Sequence, residues 1–291
     1  MEKIVVERTQ EIVQQKEEID EQNKEIISSI TYAKGLQDAI LPPLQNFKNA
    51  FPKSFILFKP KDIVSGDFYW METIQLADER ISELVDKNKF KSNQLILFAS
   101  CDCTGHGVPG AMVSMVCNNA LNRAVREFGL IDPGLILDKV REFVILTFAN
   151  SEKKRKDGMD ISLCVFDKDK MELKWSGANN PLWIIRKDAK ELEEIKANKQ
   201  PIGNSEHYKP FVTHTVKLNI GDSIYIFTDG FQDQFGGEKG KKYMVPKLRE
   251  LFISVALQPM DEQFALIEAE FENWKKGREQ VDDVCVIGIQ I

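Results

Sequence analysis

An apolar strand, a glycine loop and a helix follow one another in the stretch LILFASCDCTGHGVPGAMV, residues 95–113. Residues 95–100 have the apolar character of a buried strand, and Pro109 suits the first turn of a helix. Between this strand and this helix, Gly105 and Gly107 permit unusual backbone angles. Asp102 therefore lies at a strand-to-loop junction, where its carboxylate and a backbone carbonyl can hold a cation together. A tight turn without a metal is the alternative, because glycine turns are common.

Three side chains near Asp102 invite chemical roles of their own. Cys101 and Cys103 flank it, but no second Cys or His pair follows nearby in the sequence to complete a tetrahedral zinc site. At alternate positions of a strand end, these cysteines are expected to pack on the face opposite Asp102. An imidazole ordinarily titrates near neutrality. For His106, proton donation and a plain hydrogen-bonding role therefore both stay open.

Three further aspartates stand at the end of an apolar run or beside a glycine. They are Asp67 in VSGDFYW (64–70), Asp229 in FTDG (227–230) and Asp282 in VDDV (281–284). Carboxylates gathered from distant strands, without a His or Cys cluster, suit hard divalent cations such as Mg²⁺ or Mn²⁺. For Asp282 a charged turn is the alternative, and its neighbour Asp283 is expected to point the other way and act structurally. The sequence thus predicts an enzyme with a carboxylate metal site.

Composition excludes several other classes of protein. The chain has 291 residues, 43% of them hydrophobic, and a net charge of −6, which argues against nucleic acid as the main partner. Five cysteines without regular spacing are typical of a reduced, cytosolic protein. No segment approaches the roughly 18 uninterrupted apolar residues of a membrane span, and the first residues lack an apolar signal core. We therefore expect a soluble, cytoplasmic protein without a membrane partner.

Residues 1–43 differ from the rest of the chain by an apolar repeat. Apolar side chains recur at every seventh position, namely Val5, Ile12, Ile19, Ile26, Ala33 and Ile40. The complementary seam positions are poorer, since they hold Thr9, Lys16 and Asn23 before Ile30. We predict a parallel, dimeric coiled coil that ends at Pro42 and Pro43, with a lone amphipathic helix as the alternative.

Residues 44–291 mix strand-like and helical patterns and are predicted to form one catalytic domain. Strands are predicted at 55–58, 68–74, 95–100, 161–166, 182–185, 211–216, 223–227 and 284–289, and helices at 111–125, 135–148, 245–255 and 261–274. Paired helices between groups of strands, and turns of hairpin length, favour an α+β class with antiparallel sheets covered by helices. The polar stretch 77–93 is predicted to be a surface insertion.

The ordered set of motifs resembles the metal-dependent protein phosphatase (protein phosphatase 2C-like) family. Within that family the chain is most similar to the bacterial branch of sporulation-stage-II-E-type or sigma-regulator serine phosphatases. The matching segments, in family order, are KDIVSGDFYW (61–70), DCTGHGVPG (102–110), DGMDI (157–161), SGANNP (176–181), TDG (228–230) and DD (282–283). The resemblance implies an αββα sandwich of two antiparallel sheets flanked by helices, preceded by the N-terminal coiled-coil helix. Residues 29–43 resemble the linker to an upstream sensor.

The resemblance also implies a metal centre. Two Mn²⁺ or Mg²⁺ ions would be held by Asp102, Asp229 and Asp282 with the backbone carbonyl of Cys103. Asp67 would complete the site directly or through water, and Asp160 would contribute to a third, weaker ion. Eukaryotic relatives grip phosphate with an early arginine, whereas this chain has Lys59 and Lys61 near that place. A lysine lacks the bidentate fork of arginine, so the metals would do most of the gripping.

The implied reaction is hydrolysis of phosphoserine or phosphothreonine by a metal-activated water, without a phosphoenzyme. The implied partners are a phosphorylated regulatory protein such as an anti-sigma-factor antagonist, a second copy joined through the coiled coil, and an upstream sensor. The coiled coil is expected to regulate activity by moving the helix at 111–125, which is continuous with the Asp102 loop. An inactive phosphoprotein-binding module and a small-molecule metallophosphoesterase are the alternatives.

Overall fold

The strands of the protein form two antiparallel sheets. The computed structural model describes residues 2–75, 94–149, 157–187, 189, 191–205 and 208–291. The predicted insertion at 77–93 lies outside these residues. In spatial order, the first sheet contains β1 (Ser54–Lys59), β12 (Val284–Gln290), β9 (Ser223–Phe227), β6 (Leu182–Ile185) and β7 (Leu192–Ile195). The second contains β2 (Phe68–Gln75), β3 (Gln94–Cys103), β4 (Met159–Asp167), β5 (Glu172–Ala178) and β8 (His214–Lys217).

Two helices precede the first strand in the chain, and others pack on the outer faces of the two sheets. They are α1 (Glu2–Ile40), α2 (Leu44–Ala50), α3 (Gly107–Arg126), α4 (Pro133–Phe148), α5 (Gly230–Asp233), α6 (Val245–Val255) and α7 (Met260–Lys275). A short hairpin of β10 (Phe235–Gly236) and β11 (Lys241–Lys242) follows α5. Local signals place several helix ends. Asp132 caps α4, for example, by accepting from the N–H groups of Gly134 and Leu135, and Pro133 occupies the first turn.

Strand β3 shows how the layers assemble. Leu95, Leu97, Ala99, Cys101 and Cys103 face a core shared with α3 and α4. The alternate residues Ile96 and Phe98 face a second core between the two sheets, as the two-residue period of a strand requires. A third core joins the outer face of the first sheet to α6 and α7. The predicted α+β class and the αββα sandwich are thereby confirmed.

Some elements of the structure differ from those predicted from the sequence. The strand predicted at 211–216 forms only at His214–Lys217. Strands β5 and β7 and the short helices α2 and α5 were not predicted. Strand β7, with the sequence LEEI, lies at the edge of its sheet and is only partly buried, so it lacks the apolar run that marks a central strand.

Helix α1 runs without interruption from Glu2 to Ile40, as the heptad pattern predicts. Its seam residues Val5, Ile12, Ile19 and Ile26 are each more than half exposed in the single chain. The dimeric coiled coil, and the boundary between residues 1–43 and 44–291, therefore stay predictions. Among the described residues, no helix is long and apolar enough to cross a membrane.

Candidate active site

Five aspartates lie together at one edge of the sandwich, and we call them the acidic rim. Asp102, near the end of β3, pairs in register with Asp160 near the start of β4. Asp67 directly precedes β2. Asp229 follows β9 by two residues, and Asp282 precedes β12 by two residues. Because β9 and β12 are antiparallel neighbours, the end of one lies beside the start of the other.

Asp67 and Asp102 are the most strongly perturbed members of the rim. Asp67 is only 2% exposed, and Thr228 Oγ1 donates to its carboxylate at 2.6 Å. Burial, followed by the charge of Asp102, raises the pKa of Asp67 well above its ordinary value. Burial also raises the pKa of Asp102 well above its ordinary value, and the charges of Asp229, Asp160 and Asp282 add to that rise.

The other three carboxylates show the same pattern more weakly. Burial raises the pKa of Asp160 to about 6, although Asn179 donates to its carboxylate at 2.8 Å. Burial, then repulsion from Asp233 and Asp282, raises the pKa of Asp229. Burial likewise raises the pKa of Asp282, where the N–H of Asp283 and the nearby Lys61 and His106 oppose the rise. The rim as a whole holds more negative charge than its protein surroundings compensate.

The donor set fits a hard divalent cation in its chemistry. The rim offers carboxylate oxygens that are partly desolvated and repel one another, and a bound cation would relieve both penalties. In the described part of the chain, however, no three His, Cys, Asp or Glu side chains converge closely enough to hold one ion. The carboxylates thus share an edge and an electrostatic field without forming a closed coordination shell.

Asp283 holds the loop that carries Asp67. It is 2% exposed, and its two carboxylate oxygens accept from the backbone N–H groups of Lys61 and Gly66, each at 2.7 Å. Such paired acceptance fixes both ends of the loop against the start of β12. The structural role expected for Asp283 therefore takes the form of two specific hydrogen bonds beneath the rim.

Glycines allow this loop to pack on the loop that follows Asp102. A Cβ atom at Gly66 would lie 2.3 Å from the carbonyl oxygen of Gly105, and one at Gly110 would lie 2.1 Å from the same oxygen. Both contacts are far closer than any side chain permits. Gly105 and Gly107 also have positive φ angles of 86° and 63°, as expected from the sequence.

The two candidate lysines have different surroundings. Lys59 Nζ forms ion pairs with Glu268 and Glu272 of α7, at 2.9 and 3.0 Å. Lys61 Nζ instead lies 3.0 Å from His106 Nε2, and its charge lowers the pKa of Asp282. Of the two, Lys61 is therefore the cation at the rim.

His106 is held by hydrogen bonds on both sides of its ring. Its Nδ1 lies 2.7 Å from Asp62 Oδ2, and its Nε2 faces Lys61. Proton donation and hydrogen bonding were both possible roles for His106. The structure shows hydrogen bonds, and they connect the loop after Asp102 to the loop before Asp67.

The cysteines beside Asp102 face away from the rim. Cys101 and Cys103 are 0% and 3% exposed and pack in the core beneath α3 and α4, which confirms the expected packing. Burial raises the pKa of both thiols well above the ordinary value. The role of the Cys103 carbonyl as a metal ligand stays a prediction.

Sequence reasoning gave no role to several residues that contact the site. Thr228 bonds Asp67, and Asn179 bonds Asp160. Gln37 of α1 is 5% exposed and bonds the loop before Asp67 through Ser65. Thr228 and Asn179 belong to quoted motifs, so their position was a usable signal. Gln37 gave none, because its partners lie far away in the sequence.

The fold is that of a PP2C phosphatase domain. The SiaA-PP2C domain of Pseudomonas aeruginosa is 28% identical, with a TM-score of 0.77 over 92% of this chain and 98% of that one. The SpoIIE phosphatase domain of Bacillus subtilis, with a regulatory fragment, is 17% identical, with a TM-score of 0.60 over 82% of this chain and 63% of that one. RsbX in complex with magnesium is 15% identical, with a TM-score of 0.53 over 82% and 94%. The last two show the shared fold.

The model of the family described as "Stage II sporulation protein E (SpoIIE)" matches residues 92–291. The chain belongs to this family, and it is a protein serine/threonine phosphatase of the PP2C class. Both the resemblance and the enzyme class stated from the motifs are thus confirmed. No curated protein matches the sequence.

Proposed function

We propose that this phosphatase is metal-dependent and that it hydrolyses phosphoserine or phosphothreonine on a bacterial regulatory protein. The observation that carries the proposal is the acidic rim, where burial and mutual repulsion raise the pKa of Asp67, Asp102, Asp229 and Asp282 together. Carboxylates that serve only as structural ion-pair partners would have enough cations and donors beside them to keep the pKa at or below its ordinary value. A site of this kind instead supports the binding of divalent cations.

Each residue of the rim has a proposed role. Asp102, Asp229 and Asp282 would hold two Mg²⁺ or Mn²⁺ ions together with the Cys103 carbonyl; Asp67 would complete the site, and Asp160 would serve a third position. When bound, two such metal ions supply an activated water and neutralise the charge on the phosphoryl oxygens. That RsbX was solved with magnesium supports this choice of ions.

The surrounding residues hold the rim and orient the substrate. Thr228 fixes the Asp67 carboxylate by its 2.6 Å hydrogen bond, and Asp283 fixes the loop before it. Lys61 is placed to attract the substrate phosphate as a point charge. Lys59 forms ion pairs with Glu268 and Glu272 of α7, and its proposed role is to stabilise the fold.

Phosphate release from a phosphopeptide tests the proposal. With added Mn²⁺, we expect wild-type turnover to be abolished by excess chelator and by Asp102→Asn or Asp229→Asn. Asp169→Asn is the matched control, since Asp169 is exposed just beyond the opposite end of β4. Full activity of both rim variants, or full activity in chelator, would contradict metal dependence.

Phosphoprotein binding without hydrolysis is the second candidate function. It is favoured by one observation, namely that no three acidic, His or Cys side chains converge on a point in the described chain. Such a protein would bind the phosphopeptide but release no phosphate at any Mn²⁺ concentration. The same assay therefore separates the two candidates.

Regulation through α1 is part of the proposal. Gln37 Nε2 donates to the Ser65 carbonyl at 2.6 Å and to Ser114 Oγ of α3 at 3.0 Å, while Gln37 Oε1 accepts from Ser65 N–H at 3.0 Å. One side chain of α1 thus touches both the loop before Asp67 and the helix after Asp102. A movement of α1 would be felt at both.

The proposed partners follow from the same arrangement. Two copies would join through the exposed seam of α1, and an upstream sensor would act through it. The substrate would be a phosphorylated regulatory protein, such as an anti-sigma-factor antagonist. The cytoplasmic location stays a prediction. Removal of residues 1–42 is expected to change oligomeric state and specific activity together, and a monomer with unchanged kinetics would contradict this coupling.

A further inference from the structure

A cavity of about 330 Å³ opens beside the acidic rim. One wall is the turn between β5 and β6, which contains Asn179 and Asn180, and another is the segment from Phe227 to Asp229. Asn179 also donates to Asp160. The cavity and the acidic rim therefore share Asp229 and the side chain next to Asp160. We call this space the Asn180 cavity.

Two buried donors of the cavity walls have no partner in the described part of the chain. They are Asn180 Nδ2 and Trp183 Nε1, from residues that are 7% and 1% exposed. A buried donor without an acceptor is costly, and native proteins rarely keep one without a reason. Both atoms are covered by protein, so an occupant that displaces the covering side chains would supply the missing acceptors with its carbonyl or carboxylate oxygens.

The charges of the cavity differ from those of the rim. Lys196 and Lys199 line the cavity, and neither has an ion-pair partner among the residues that the structure describes. Glu194, which also lines it, is already paired with Arg249. Apart from Asp229, which it shares with the rim, the cavity thus presents two exposed lysines whose charge is not compensated by an ion pair. An occupant with negative charge is favoured there.

We propose that the Asn180 cavity binds an acidic segment of the phosphoprotein substrate, adjacent to the phosphorylated residue. Because Asp229 lines both the cavity and the rim, the segment lies within a few residues of the phosphate, at about 3.3 Å per extended residue. The lysines meet its carboxylates, and Asn180 and Trp183 meet its oxygens. This inference rests on the proposed function, since it identifies what that site recognises beyond phosphate.

Binding and turnover of two phosphopeptides test the inference in the full chain. The peptides are identical except that the residues flanking phosphoserine are Glu in one and Ala in the other. By fluorescence anisotropy in excess chelator, where the proposed turnover is abolished, we expect wild type to bind the Glu peptide more tightly. The double variant Lys196→Ala/Lys199→Ala is expected to weaken that binding roughly tenfold and the Ala-peptide binding much less.

Two controls distinguish recognition from a structural effect. The double variant Lys53→Ala/Lys168→Ala removes two exposed lysines beyond the opposite ends of β1 and β4, and we expect wild-type binding from it. Asn180→Leu removes an unpaired donor, so we expect weaker peptide binding without a lower melting temperature. Turnover of p-nitrophenyl phosphate, which has no flanking residues, should be unchanged in the lysine variants.

Three outcomes would overturn the inference: equal wild-type binding of both peptides, an unchanged preference in the Lys196/Lys199 variant, or an equal loss in the Lys53/Lys168 control. A wild type that binds the Glu peptide selectively but hydrolyses no phosphate would overturn the proposed catalysis and leave the cavity's role supported. The two failures are thus distinguishable.

Discussion

Strand β9 has an aspartate beyond each end, and the two have opposite surroundings. Asp222, which precedes the strand, is 2% exposed and accepts from the Arg186 guanidinium at 2.9 Å and from the N–H groups of Asn219 and Lys187. Burial alone would raise the pKa of Asp222, but these hydrogen bonds hold it below the ordinary value. At the other end, burial and neighbouring carboxylates raise the pKa of Asp229.

We interpret the difference as that between a structural carboxylate and a proposed metal ligand. At Asp222 the protein supplies every partner that the charge needs, so the residue stabilises the fold. At Asp229 the nearest charged groups include other aspartates. The fold thus tolerates a local instability at one edge of the sandwich, which a cation would relieve.

Asparagine substitutions at the two ends should have opposite effects, and this is the largest difference we expect. Asp222→Asn should lower the free energy of unfolding by about 1–2 kcal/mol, because it removes the charge that accepts from Arg186 and from two N–H groups while Glu193 still pairs with Arg186, and should leave turnover intact. Asp229→Asn should abolish turnover without lowering the free energy of unfolding in chelator. Urea denaturation and phosphate release measure both. Destabilisation by Asp229→Asn that matches that of Asp222→Asn would remove the distinction.

Gln37 offers a second way to sharpen the comparison, since it connects the rim to α1. Gln37→Leu should lower the free energy of unfolding by about 1–2 kcal/mol, because the N–H and carbonyl of Ser65 lose their partner. It should also lower kcat several-fold, since the loop before Asp67 is less firmly held. Gln14→Leu, at an exposed position of the same helix, should change neither. Loss of stability with unchanged kcat would reduce Gln37 to a structural role.

The two lysines near the rim should differ in kinetics. Lys61→Ala is expected to raise KM for a phosphopeptide several-fold, because a point charge beside the phosphate is lost. Lys59→Ala is expected to leave KM within about twofold and to remove only the partly buried ion pairs with α7. An equal rise of KM in both variants would mean that the contacts of Lys59 do not set it apart.

The smallest expected effect is on the pH dependence of stability. The pKa of Asp222 in the folded protein is lowered. Its carboxylate therefore stabilises the fold at pH values above the unfolded-state pKa, which is about 3.9 for Asp. That stabilisation is lost as the pH falls through the folded-state pKa. The stability difference between wild type and Asp222→Asn should therefore be full at neutral pH and shrink below about pH 4. Thermal unfolding at several pH values measures it. A difference that grows toward acid would have the wrong sign.

The sequence indicated much of the fold because its central strands are buried on both faces. Residues 95–100 and 284–289 are nearly continuous apolar runs, and each rim aspartate stands at a strand end or beside a glycine. Strand β7 was missed for the opposite reason, since LEEI is a partly exposed edge strand.

The partners of the site were beyond sequence reasoning because tertiary packing decides them. Lys59 and Lys61 are two residues apart, yet one pairs with α7 and the other lies at the rim. Asp222 and Asp229 look alike in sequence, each beside a glycine and an apolar run. In the fold, Asp222 accepts from Arg186, which follows β6, and from two backbone N–H groups, whereas Asp229 lies near other aspartates.

Calorimetric titration of Mn²⁺ into metal-free protein tests the central claim most directly. We expect wild type and Asp222→Asn to bind Mn²⁺ alike. Their binding heat should depend on the buffer, because carboxyls with raised pKa values release protons as the ion binds. Asp229→Asn should bind far more weakly. Equal Mn²⁺ affinity in wild type and Asp229→Asn would contradict the assignment of the acidic rim as the metal centre.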